Sequence, residues 1–325
     1  MKFINDLWAA RISLTLIAAI ELDLFTLIAQ GKKTPDAIAK ALKAPKRGLE
    51  RLLDALVGMG YLARRGTQLG LSPVADMFLV STKPSFIGAM AEESRMTLPG
   101  WMKLDEVVRT GTPIGQVDTA QGREFFPRLV RAIFPMSYNG SRSLVAALPS
   151  SKLKKIQRIL DVGAGSGAWS LPFAESLPNV RVTAVDYPEV TAVTREYAAQ
   201  FGVADRYNYL EGNFREIDFG KQEYDIVILG QIIHSEGEKW GKALLSKCYK
   251  ALKPGGTLVI AEMIPNDSRS GPIFPLLFGL NMVLHTTEGD VFTTSQYKQW
   301  LKQAGFKTVK LVEAQSPSPV ILATR

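Results

Sequence analysis

The sequence predicts an α/β fold, a mostly parallel sheet with an antiparallel C-terminal edge strand, preceded by an all-α winged-helix domain. Three observations carry that expectation. The first half of the 325-residue chain reads almost wholly as helix, with one short hairpin. From Ile156 onward, short β-rich runs alternate with helix-length segments, the rhythm of a parallel sheet covered on both faces. Between the first such run and the next helix lies the glycine-rich turn Asp161-Val162-Gly163-Ala164-Gly165-Ser166-Gly167. The length itself favours more than one domain. The expected divisions are 1–84 for the winged-helix domain, 85–150 for a helical linker, and 151–325 for the α/β domain.

The elements follow in order. From Phe3 to Ala29 the apolar residues Leu7, Trp8, Ile12, Leu16, Ile17, Ile20, Leu24, Phe25 and Ile28 recur at helical spacing on a wide face, so one buried or interface helix is expected, stopped by Gly31. Thr34-Pro35-Asp36 is an N-cap with proline in the first turn, opening a helix over 37–42. Another helix runs from Arg47 to Met59 and ends at Gly60. Tyr61 to Ala63 and Leu69 to Ser72 then make a hairpin around 64–68, and helix-helix-helix-hairpin is the order of a winged helix. Helices over 85–148 break at Pro99-Gly100 and Gly111-Thr112-Pro113, and Pro149-Ser150-Ser151 marks the boundary.

Beyond it, strands are expected at 158–161, 181–186, 207–211, 224–229, 257–263, 308–313 and 320–324. The last two have no helix between them, only Ser316-Pro317-Ser318-Pro319, which predicts an antiparallel hairpin at the sheet edge.

Composition narrows the function classes. Hydrophobic residues make up 46% and charged residues 22%, which is globular rather than disordered. The net charge of +8 is spread along the chain, and its densest cluster, Lys32 to Arg65, reads as a solvated helix face. One cysteine and two histidines assemble no zinc-type ligand set, so no metal is expected. The apolar run from Leu7 is interrupted by Arg11, Glu21 and Asp23, which argues against a membrane span. No signal-peptide profile is present, and a cytoplasmic protein is expected, with neither nucleic acid nor membrane as partner.

The turn at 161–167 alone suits several nucleotide-containing ligands. Asp186, ending the second strand about twenty residues on, can accept from ribose hydroxyls, which NAD sites share. Asp161 separates the readings, because an acid immediately before the loop suits a sulfonium and an ammonium better than a pyrophosphate. Leu252-Lys253-Pro254-Gly255-Gly256 then forms a turn entering the next strand.

With these motifs in order, the second half resembles class I S-adenosylmethionine-dependent methyltransferases of Rossmann-like fold. The whole chain is similar to the small-molecule O-methyltransferase family that includes caffeate and acetylserotonin enzymes. Ile20 to Phe25 resembles that family's dimerisation helix. Arg51 to Val57 with Gly60-Tyr61-Leu62 resembles its winged-helix segment, and Val107 to Gly111 and Ala304-Gly305-Phe306 are lesser matches.

The resemblance implies S-adenosylmethionine as cofactor, a small aromatic acceptor and a homodimer joined through the N-terminal helices. Gly163, Gly165 and Gly167 would lie along the methionine part of the cofactor. Asp186 would hold the ribose, and Tyr187, Asn213 and Phe214 would flank the adenine. Asn213 replaces the family's usual aspartate, and Gly230 stands where many relatives carry a lysine directed at the cofactor carboxylate. His234 falls at the catalytic base position. The chemistry is sensible, since an imidazole with an ordinary pKa near ~6.5 can take the proton of a phenol near ~10 as oxygen attacks the methyl. Relatives orient this base with two glutamates. Glu262 matches one; the other position is Val291, with Glu288 and Asp290 out of register. Met136, Asn139, Phe278, Met282 and His285 match acceptor-lining positions, and Trp101 and Phe126 are further candidates.

Three other readings remain open on sequence. The acceptor atom could be carbon or nitrogen, with alignment supplying most of the rate. The chain could bind the cofactor without this catalysis. It could also be a DNA-binding regulator, although Glu50 and Asp54 on the would-be recognition helix oppose phosphates.

Overall fold

The structure is a computed structural model that describes residues 1–83, 85–115 and 125–325. Residues 84 and 116–124, within the expected winged-helix and linker regions, lie outside the described residues. The chain forms two compact units, Met1–Pro99 and Gly100–Arg325.

The first unit begins with α1 (Lys2–Glu21) and α2 (Leu24–Ala29). The periodicity predicts one helix here, and the structure breaks it at Asp23, whose φ of 51° is left-handed. The apolar pattern continues across this break because Leu24, Phe25 and Ile28 still face the core, so spacing alone does not reveal it. The Thr34 hydroxyl accepts from Ala37 N at 3.2 Å and starts α3 (Pro35–Leu42), as an N-cap should. After α4 (Lys46–Gly58), strands β1 (Leu62–Arg65) and β2 (Gln68–Leu71) pair antiparallel around Gly66. Helices α5 (Pro73–Phe78) and α6 (Ala89–Trp101) follow, the division between units falling inside the second. Leu53, Leu56 and Ile38 are fully buried at the centre of this winged helix.

Most of α1 contributes nothing to that core. Leu7, Trp8 and Ile12 are 72%, 59% and 53% exposed, an apolar stripe left open by the described residues. Charges were expected to exclude a membrane span here. In the structure α1 is continuous over 20 residues, and among the described residues it alone is long and apolar enough to cross a membrane. Lys2, Asp6 and Arg11 nonetheless lie along it.

In the second unit, α7 (Leu104–Thr110), α8 (Phe126–Ala132), α9 (Phe134–Ala147) and α10 (Ser150–Leu153) precede the sheet. Strand β3 (Arg158–Val162) leads through the glycine turn to α11 (Leu171–Ser176) and β4 (Arg181–Asp186). Then come α12 (Pro188–Gln200), β5 (Tyr207–Glu211), β6 (Tyr224–Gly230), α13 (Ile233–Ala251) and β7 (Leu252–Ala261). The chain closes with α14 (Ile273–His285), α15 (Thr294–Ala304), β8 (Thr308–Val312) and β9 (Val320–Thr324).

The seven strands are ordered β5-β4-β3-β6-β7-β9-β8, parallel except for β9, which runs antiparallel to both neighbours. The antiparallel strand therefore sits one position in from the edge, between β7 and β8. Alternate residues of the central strands feed two apolar layers. Leu160, Val162, Val227 and Leu229 pack beneath α13 and α15, while Ile159, Ile226 and Ile228 pack towards α9 and α11. Strand order reverses between β3 and β6, so their C-terminal ends open a crevice at the glycine turn.

Candidate active site

The glycine turn is locked by its backbone and tied to its neighbour strand. Gly163, Gly165 and Gly167 have φ of +64°, +58° and +74°, where L side chains are strained. A Cβ on them would also lie 2.9 Å from Ile232 Cδ1, 3.1 Å from Val130 Cγ1 and 3.0 Å from Thr194 Cγ2 respectively. Gly163 N and Ala164 N both donate to the Val185 carbonyl, at 2.9 and 3.1 Å. Gly165 N donates to Asp186 Oδ2 at 2.9 Å, and Tyr187 N to Asp186 Oδ1 at 2.8 Å.

Two carboxyls face this turn. Burial raises Asp186 to about 6, the two backbone N–H groups pulling the other way. Asp161 is 1% exposed, and its Oδ2 has no hydrogen-bond partner among the described residues. Burial pushes it to about 7; the Ser170 hydroxyl offsets part of that and the Asp186 charge adds to it. A buried carboxyl with an idle oxygen is costly on its own and is relieved by a cation. S-Adenosylmethionine carries a sulfonium and an ammonium, so the acid pair and the close-packed glycines fit that cofactor.

The adenine-side residues are placed less uniformly. Asn213 follows β5, and its Oδ1 accepts from Arg215 N at 3.0 Å while its amide reaches Glu216 at 3.3 Å. Phe214 turns its ring into the core above the sheet. Tyr187 is half-buried at the head of α12, against Val130, Val190 and Val193. Gly230 ends β6, and a Cβ there would lie 2.8 Å from Trp169 Cγ, so the indole fills the space where a side chain would start.

His234 sits in the first turn of α13, just after β6. Glu262, one residue beyond β7, is 4% exposed and serves three donors. Its Oε2 lies 2.7 Å from His234 Nδ1. Its Oε1 accepts from Ile233 N at 2.6 Å and His234 N at 3.3 Å. A carboxylate only accepts, so Nδ1 is the nitrogen that carries the proton here, and in the neutral ring Nε2 holds the lone pair. The imidazole meets the Phe278 ring edge-on, with centroids 4.8 Å apart.

Val291 is buried, and Asp290 turns its carboxylate to Val291 N and towards Arg269. The 286–290 segment supports the site differently: Asp290 N donates to the His234 carbonyl at 2.9 Å. A Cβ on Gly237 would lie 2.5 Å from the Glu288 carbonyl, so this glycine, at φ 72°, lets the segment approach.

On α14, Phe278, Met282 and His285 are spaced by four and three residues and share one face. His285 Nε2 has no partner among the described residues, and burial lowers its pKa. Met136 is half-buried and Asn139 exposed on α9; the Ser137 hydroxyl between them lies 3.4 Å from Gln231 Oε1. Trp101 and Phe126 are half-buried at the ends of α6 and α8.

Sequence reasoning missed several residues here. Glu236 is 7% exposed and pairs with Arg215 at 2.7 Å, while the Arg215 guanidinium lies 4.7 Å from the Trp240 ring centre. Val130, Ile232 and Thr194, which wall the glycine turn, carried no sequence signal because apolar and small polar residues look alike at any buried position.

Fold and site together define an S-adenosylmethionine-dependent methyltransferase. Comparison with known proteins makes the assignment specific. Residues 102–307 match the O-methyltransferase domain and residues 6–81 the O-methyltransferase dimerisation domain. The chain belongs to the O-methyltransferase family. It is 33% identical to 3-hydroxy-5-methyl-1-naphthoate 3-O-methyltransferase of Streptomyces sahachiroi, over 96% of this chain and 90% of the relative. A solved structure from Nostoc punctiforme is 28% identical with a TM-score of 0.89, covering 99% of this chain and 98% of that one. Human N-acetylserotonin methyltransferase, solved with S-adenosylmethionine, shares the fold at 24% identity and a TM-score of 0.85, over 99% of this chain and 96% of its own.

The buried acids give one prediction for the protein without cofactor. A carboxyl whose folded pKa is raised binds more protons folded than unfolded, so stability falls as pH rises from the unfolded to the folded value. For Asp161 that window runs from 3.8 to about 7. Asp161→Asn should flatten the pH dependence of the melting temperature across this window and raise it near pH 7, as scanning calorimetry would show.

Proposed function

We propose that this chain methylates a hydroxyl of an aromatic small molecule, with His234 as general base and Glu262 as the residue that orients it. The observation that carries the proposal is the His234–Glu262 contact at 2.7 Å, which leaves Nε2 as the free lone pair beside an aromatic wall. Bound S-adenosylmethionine supplies the electrophilic methyl group. We assign Gly163, Gly165, Gly167 and Asp161 to its methionine end and Asp186 with Tyr187 to its ribose and adenine. Asn213 would use its remaining capacity on the adenine side, although its oxygen is already engaged locally.

The chain's own work is proton handling and positioning. Nε2 takes the proton as the acceptor oxygen attacks, and the imidazolium so formed is stabilised by the adjacent Glu262 carboxylate. Phe278 and Met282 would offer flat apolar walls, with His285, Met136 and Asn139 at the margins. The naphthoate substrate in the name of the Streptomyces relative supports an aromatic acceptor.

Two further parts belong to this reading. The exposed stripe of α1 is covered by the same stripe of a second copy, giving a homodimer, which the dimerisation-domain match supports. The cytoplasm is the compartment this reading assigns.

His234→Ala should reduce kcat by about 10²- to 10⁴-fold in a screen of phenolic acceptors read by S-adenosylhomocysteine release, with cofactor affinity unchanged. An unaltered rate would remove His234 from the base role. Placing glutamate at both Leu7 and Trp8 should convert the dimer to monomer in sedimentation velocity. A monomeric unmodified protein would contradict the pairing.

A further inference from the structure

Among the described residues, the buried indole N–H of Trp169 takes no part in this mechanism. Trp169 is 5% exposed, and its indole N–H has no hydrogen-bond partner among the described residues. A buried donor left without an acceptor is destabilising, and structures rarely retain one without a reason.

Its surroundings are built for the ring. A Cβ on Gly140 of α9 would lie 3.1 Å from Trp169 Cη2, and a Cβ on Gly230 would lie 3.0 Å from Nε1. The Ser141 hydroxyl donates to the Trp169 carbonyl at 2.6 Å, pinning the backbone that carries the ring. Two positions without side chains thus hold the indole between α9 and the end of β6, with its nitrogen edge towards Gly230.

The location is the crevice where strand order reverses. Val162 pairs with Leu229, so Gly230 comes level with Gly163 at the start of the glycine turn. The other idle group in this layer is Asp161 Oδ2, on the strand leading into the same turn. One unpartnered carboxyl oxygen, which a cation would hold ionised, and one unpartnered N–H near one turn are complementary to a group bearing both charges. The amino-acid end of S-adenosylmethionine is such a zwitterion.

We propose that Trp169 donates its indole N–H to the carboxylate of the cofactor's amino-acid end, while Asp161 receives the ammonium. The proposal rests on the placement of the cofactor along this turn and is independent of His234 as base. It makes Trp169 a cofactor-binding residue in a position where Gly230 can supply no side chain.

The test compares two non-reacting probes that differ only at the amino-acid end. S-Adenosylhomocysteine carries it, and 5′-methylthioadenosine lacks it. Trp169→Phe keeps the ring packing and removes the donor. By calorimetry the variant should bind S-adenosylhomocysteine about ten- to a hundred-fold more weakly and 5′-methylthioadenosine as the unmodified protein does. Unchanged affinity for S-adenosylhomocysteine, or equal weakening of both probes, overturns the proposal. If the variant does not fold, the unmodified protein labelled with ¹⁵N-tryptophan reads the same contact. One indole N–H resonance should move downfield with S-adenosylhomocysteine and stay in place with 5′-methylthioadenosine. A spectrum in which no indole distinguishes the two overturns it equally.

Discussion

Glu262 stands one residue past β7, almost sealed from water, and holds three donors on two oxygens. One oxygen takes the first two N–H groups of α13, which every helix leaves unsatisfied at its start. The other takes the imidazole Nδ1. The same carboxylate therefore caps a helix, joins it to the neighbouring strand and sets which nitrogen of His234 keeps its lone pair. Removing it would leave buried donors unpaired as well as the ring unoriented, so fold and chemistry meet at this side chain.

That arrangement makes sense of the family pattern from which the chain departs. With Val291 buried and Asp290 turned away, Glu262 alone among the described residues sets a carboxylate against the His234 ring, where the family pattern that the sequence resembles has two. The loss is offset through the backbone, by the Asp290 N–H on the His234 carbonyl and by Gly237 admitting the 286–290 segment. A similar exchange occurs at the cofactor crevice. Gly230 offers no side chain, and Trp169 occupies that space with an unpaired N–H.

Much of this was legible in the sequence, for physical reasons. Strand and helix periods differ, so 181–186, 207–211 and 320–324 were read with the bounds they have. Glycines that need positive φ stand out between a strand and a helix, which made the turn at 161–167 readable. What escaped notice depends on distant pairing or on a single backbone angle. The left-handed Asp23 splits a continuous apolar pattern without disturbing it. The insertion of β9 between β7 and β8 is a matter of pairing that neither strand's sequence records. Glu262 could be matched to a position, but its hold on Ile233 N and His234 N needed the geometry. The unpaired nitrogen of Trp169 follows from how Gly140 and Gly230 meet around the ring, which no single position records.

The central claim is that Glu262 fixes His234 as a base with a free Nε2. Glu262→Gln tests it most directly, because the amide oxygen can still accept from the helix backbone while the amide nitrogen cannot accept from Nδ1. The measurement is kcat alongside calorimetric cofactor affinity. The account predicts a fall in kcat of about 10²-fold or more with cofactor affinity intact. A variant that turns over at the unmodified rate would contradict it.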